Sequence, residues 1–190
     1  MRTTQFAGGG AVVTDAQSAH EGLVLLGNPR GLLPLVLSEY QATAGEAGEE
    51  LAVVGPNIEN NGYGNYAAHN DNSTNPLQGL QRLVPGLVFA KGMPSVASTN
   101  RSGFAAAVAV ARRARVTVAV FGIDNSQEHE TGTRSDITLP GLQVGEHNSL
   151  LAGQGGAYWY PCSCRKCSAA ETYIYDRALL AGGLMGLVWP

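Results

Sequence analysis

The stretch Phe121 to Gly141, FGIDNSQEHETGTRSDITLPG, gathers Asp124, Glu128, His129, Glu130, Arg134 and Asp136 in a chain whose residues are only 14% charged. A carboxylic acid that is sheltered, or that stands beside a second carboxyl, can donate a proton to a leaving-group oxygen near neutral pH. Glu128 and Glu130 are spaced to influence each other in that way. Spacing alone also fits a solvated acidic loop, and it favours that plainer reading because charged loops are common.

A second polar stretch, Asn57 to Pro76 (NIENNGYGNYAAHNDNSTNP), is rich in side-chain amides and carries Tyr63 and Tyr66. Amides offer both donors and acceptors, and beside aromatic faces they suit the hydroxyls and C–H faces of a sugar. Asn and Gly equally make ordinary turns. The run Gly62 to Ala67 also fits the dinucleotide pattern G-x-G-x-x-A. Here, however, the glycines come late after the preceding strand, no helix pattern follows, and the next strand ends at Lys91 without a ribose-binding acid. Neither a G-x-S-x-G elbow nor a phosphate-binding loop occurs, and no two histidines have metal-ligand spacing.

The cysteines Cys162, Cys164 and Cys167 crowd into CSCRKC, too close for a disulfide framework. A structural zinc wants four ligands and no histidine lies nearby, so the cluster reads as a loop of free thiols and the sequence implies no metal. The sequons at Asn72 and Asn100 matter only in an exported protein.

Two apolar runs position the polar stretches. Leu51 to Gly55 and Val116 to Gly122 have the character of strands buried on both faces. Between them the pattern predicts a helix at Pro76 to Leu83, a short strand at Leu87 to Ala90, and an apolar helix from Ser102 to Ala114 with arginines at its end. Asp15 to Leu26 reads as a further helix, stopped by Gly27, Asn28 and Pro29. Strand, helix, strand, helix, strand is the order of an α/β fold, a mainly parallel sheet with helices on both faces. Functional loops then leave the carboxyl ends of the strands, at Pro56 to Asn75 and at Ile123 to Pro140. Both exceed the ~2 to 6 residues usual for such connections, which binding or catalysis would explain.

The whole chain has 190 residues, 44% of them hydrophobic, with 25 glycines and a formal net charge of -3. That is room for one ordinary globular domain. The charge gives no reason to expect nucleic acid or anionic membranes as partners, and Arg112–Arg113 is too short for a basic stripe. No apolar run reaches the ~20 residues that span a bilayer, and the N-terminus lacks the apolar centre of a signal peptide.

In order along the chain, EGLVLLGN (Glu21 to Asn28), LLPL (Leu32 to Leu35), AVVGPN (Ala52 to Asn57), GNYA (Gly64 to Ala67), NPLQGLQ (Asn75 to Gln81), FAKG (Phe89 to Gly92) and DNSQEHETGTRSDITLPGLQ (Asp124 to Gln143) are similar to successive landmarks of glycoside hydrolase family 3. They most resemble its β-xylosidase and α-arabinofuranosidase branch. The resemblance implies that residues 1–143 form the C-terminal-type α/β sandwich domain and that 144–190 are a divergent continuation, so that the domain is truncated. It places the acid/base on Glu128, with Glu130 as the alternative, and sets Gly64, Asn65, Tyr66 and Arg134 at the substrate. The family's aspartate before that arginine is replaced here by Thr133. The nucleophile would be an aspartate on a barrel domain, the substrate an oligosaccharide, and no cofactor is implied. Complete members of the family are often secreted. The expected function is retaining hydrolysis of β-xylosides or related glycosides; the rivals are a carbohydrate-binding remnant without chemistry and a non-functional fragment.

Overall fold

The computed structural model describes residues 17, 21, 23–26, 28, 31–40, 51–63, 73–132, 134–136 and 138–153, together with the backbone of 171–176 and 185–188. Its centre is the pair β2 (Leu51–Val54) and β4 (Val116–Phe121), joined in parallel with Val53 opposite Val118. Every residue of both strands is buried, as the two apolar runs predict. β3 (Val88–Ala90) adds in parallel on the other side of β2. These three strands are the open parallel sheet expected from the alternation of strands and helices.

Strand alternation splits the interior into two cores. Leu51, Val53, Val116, Val118 and Val120 face one way and pack with Ile58, Leu77, Val84 and Tyr40. Tyr40 ends a short 3-10 turn, Leu37–Tyr40, where the Arg115 guanidinium lies 5.0 Å over its ring and also bonds Glu39 at 3.3 Å. Val54, Ala119 and Phe121 face the opposite way, onto Ala107, Ala111, Leu150 and Leu151.

Three helices cover these faces. α1 (Pro76–Leu83) lies on the first core, where Leu77 is buried. Its start is specified locally: the Asn75 side chain accepts from Gln78 N at 2.9 Å, the Gln78 side chain accepts from Asn75 N at 3.2 Å, and proline takes the first turn. α2 (Phe104–Arg113) and α3 (Gln143–Gly153) lie on the second. Arg112 and Arg113 fall in the last turn of α2, where the helix dipole favours cations. Arg112 Nε also donates to Gly153 O at 2.8 Å, tying the ends of α2 and α3.

Beyond β4 the sheet changes sense. β5 (Glu171–Asp176), β6 (Met185–Val188) and β1 (Val24–Leu25) follow in the order β1-β6-β5-β4-β2-β3, each pairing antiparallel with its neighbour. The expected helix from Asp15 to Leu26 is therefore corrected at its end. Gln17 and Glu21 are helical, but Val24 and Leu25 are extended and pair with Val188 and Leu187. A short apolar run fits helix or strand equally well, and a distant open strand edge decided it. Within the expected divergent continuation, ETYIYD forms β5 and Met185–Val188 supplies β6.

Candidate active site

The parallel strands end on one edge of the sheet. From that edge leave the segments after β2, after β3 and after β4, so both long polar stretches share it. They also touch: Asn125 Nδ2 donates to Tyr63 O.

The segment after β2 is held by its own amides. Asn57 N reaches Val120 O at 3.4 Å, Asn60 Oδ1 accepts from Gly62 N at 2.9 Å, and Asn61 Nδ2 and the Tyr63 hydroxyl both bond Ser73 Oγ, at 2.6 and 2.5 Å. Asn57 is 3% exposed, and its Nδ2 has no hydrogen-bond partner among the described residues. At the neighbouring end of β3, Lys91 Nζ stands 3.4 Å from Glu59 Oε2. Gly64, Asn65 and Tyr66, the expected sugar-facing residues, lie outside the described residues.

The segment after β4 is a chain of small turns. Asp124 Oδ1 accepts from Ser126 N at 2.9 Å and from its hydroxyl at 2.6 Å, while Asp124 O accepts from the backbone N–H of Gln127 and Glu128. His129 and Gly132 exchange backbone bonds, each of 3.0 Å, across a tight turn. Arg134 Nη2 donates to Thr138 O at 2.5 Å, and Asp136 Oδ1 accepts from Thr138 N at 2.8 Å. Thr133, like Ile137, lies outside the described residues.

The two candidate glutamates occupy different places in this design. Glu128 is half-buried at the foot of the turn, and its Oε2 accepts from Arg134 N at 2.9 Å. Glu130 is exposed at the tip of the His129–Gly132 turn. Arg134 thus meets Glu128 through its backbone, while its guanidinium folds back on its own segment.

Sequence reasoning missed the polar residues behind this edge. Gln143, Glu146 and His147 all face inward from the first turns of α3, whereas Val144 is 46% exposed. Gln143 and Glu146 are each 0% exposed. The His147 ring meets Phe121 edge-on, with centroids 6.0 Å apart. Glu146 carboxyl oxygens have no hydrogen-bond partner among the described residues, and burial pushes this carboxyl up to about 8. The carboxyl lies against Gly92, at φ +69, where an added Cβ would overlap it. One signal was present in the sequence: FAKG places a glycine where only a bare backbone fits.

Among the described residues no group of three His, Cys, Asp or Glu is placed to hold a metal ion. The cluster of Cys162, Cys164 and Cys167 lies outside them. No described helix is long and apolar enough to cross a membrane.

The parallel sheet with its two helical layers, and a polar edge carrying the Glu128 segment, define an α/β domain of the sandwich kind found in glycosidases. The chain belongs to the glycosyl hydrolase family 3 C-terminal domain, whose family pattern matches residues 23–152. It is 40% identical over 129 residues to Beta-D-xylosidase 1 of Arabidopsis thaliana, a match spanning 67% of this chain and 16% of that protein. It is 33% identical over 141 residues to the exo-1,4-beta-xylosidase xlnD of Aspergillus niger, covering 73% of this chain and 17% of the relative. Among solved structures it is similar to a GH3 exo-beta-xylosidase (XlnD) in complex with a xylobiose aziridine activity-based probe. That likeness has a TM-score of 0.60 at 32% identity and covers 75% of this chain and 18% of the other. The chain thus spans less than a fifth of the length of these relatives.

Proposed function

We propose that this chain supplies the acid/base side of a retaining glycosidase site acting on terminal β-linked xylose or a related sugar. Glu128 is the acid/base. The observation that carries the reading is its setting: a half-buried carboxyl anchored by Arg134 N, on the sheet edge that also bears the amide-rich segment through Tyr63. In such a reaction one carboxylate attacks the anomeric carbon while the acid/base protonates the departing oxygen, then takes a proton from the water that releases the sugar. The attacking carboxylate belongs to a barrel domain outside these 190 residues. Gly64, Asn65, Tyr66 and Arg134 line the sugar. The names of the relatives, several of them β-xylosidases, favour xylosides as the substrate class.

The test is the leaving-group dependence of Glu128→Gln in a chain joined to a family barrel. Substrates with poor leaving groups should slow by about 100-fold or more, whereas activated aryl xylosides, which depart with little protonation, should lose far less in the step that releases the aglycone. Equal losses on both classes, or a larger effect from Glu130→Gln, would move the acid/base elsewhere. Sugar binding without turnover in the joined protein would favour a carbohydrate-binding remnant.

A further inference from the structure

The segment that carries Glu128 begins just after Gly122 and ends at Pro140, and one side chain bonds both residues. Gln143 Nε2 donates to Gly122 O at 2.7 Å and to Val96 O at 2.9 Å, with Pro140 O at 3.3 Å sharing its protons. Its Oε1 accepts from Gly122 N at 2.8 Å. The orientation of the amide is dictated by its partners: turned over, it would set donor against the Gly122 N–H and oxygen against carbonyl oxygens. The exit of the segment is fixed again one residue earlier. Leu142 N donates to Ser98 O at 3.1 Å, and Gly141, at φ +62, lies so close to that strip that an added Cβ would come 2.6 Å from Ser98 O.

We propose that Gln143 is a positioning residue for the acid/base: by clasping both ends of the 123–140 segment to the edge of the sheet, it sets where Glu128 stands. This rests on the reading of Glu128 given above. The hydrogen bonds described within the segment, from Asp124 through the His129–Gly132 turn to Asp136–Thr138, are local and set its shape. Among the contacts that tie it to the rest of the domain are those at its ends, where Gln143 acts and Leu139 packs on the second core, and that of Asn125. Gln143 is fully buried, so an apolar replacement would strand the polar groups of Gly122 rather than return them to water.

Hydrogen exchange of the 190-residue chain tests this without any turnover, so the result stands apart from the identity of the acid/base. In Gln143→Met, amides of 123–140 should lose protection by about tenfold or more relative to wild type, while those of β4 change no more than in a Leu150→Ala control. Gln143→Glu supplies the check on chemistry. A neutral carboxyl can donate one bond and accept another, a carboxylate can only accept. Relative to wild type at the same pH, this variant should keep the segment protected at about pH 4 and lose that protection at about pH 10, where even a carboxyl raised by burial ionises. Wild-type protection of the segment in Gln143→Met, loss shared equally with β4, or a Gln143→Glu variant indifferent to pH would each overturn the proposal. Should Gln143→Met fail to fold, Gln143→Glu at the two pH values decides alone.

Discussion

At the scale of single residues the most consequential feature is a carboxyl where an apolar group would be cheaper. Glu146 is buried against the bare backbone of Gly92, with no hydrogen-bond partner among the described residues. Because its folded value lies near 8, above the ordinary 4.5, the folded state binds a proton that the unfolded chain gives up. Its stability contribution is therefore fully present below about pH 4.5 and is lost as pH rises toward 8. Replacing it by a residue that cannot ionise removes this loss. Glu146→Gln should raise stability at pH 7 by an amount on the order of 3 kcal/mol, and by almost nothing at about pH 4. Urea melts of both proteins across that range check the expectation; parallel pH profiles would show that the carboxyl is stabilised by something else.

At the scale of elements, legibility followed the locality of the signal. α1 was readable to the residue because Asn75, Pro76 and Gln78 specify its start with neighbouring side chains. Asn75→Ala should accordingly cost about 1 kcal/mol in a chemical denaturation experiment, the usual worth of a helix N-cap. β2 and β4 were readable because continuous apolar runs fit strands buried on both faces. α3 was not. Its Gln143, Glu146 and His147 turn inward while Val144 turns out, against the rule that polar residues face water, and only tertiary packing of α3 against α2 and β4 reveals this. β1 failed for a related reason: whether Val24 and Leu25 curl or extend depends on β6, which no local pattern announces. Of the candidate site, the acidic segment and its edge were visible in sequence. The family resemblance ranked Glu128 ahead of Glu130, but their different settings, one at the foot of the turn and the other at its tip, could not be read from spacing.

At the scale of the whole molecule, the arrangement bears on what these residues can do unaided. Retaining hydrolysis requires two carboxyl groups ~5 to 5.5 Å apart on opposite sides of the sugar. Glu130 shares one small turn with Glu128, so the pair would approach a substrate from the same side. The 190-residue chain alone should show no turnover of an aryl β-xyloside above a Glu128→Gln control. Turnover abolished by that substitution would mean that a second catalytic carboxyl lies within the chain.

The pairing of Val24 with Val188 carries a consequence for biosynthesis. Protein chains emerge from the ribosome N-terminal end first, at ~5 to 20 residues per second. β2, β3 and β4 can pair as soon as Phe121 is out, because their connections lie wholly between them. β1 cannot. It is made before all of them yet can pair only once Met185–Val188 has been translated. The three parallel strands can therefore assemble early in synthesis, while the β1-β6 edge closes only after β6 has been made.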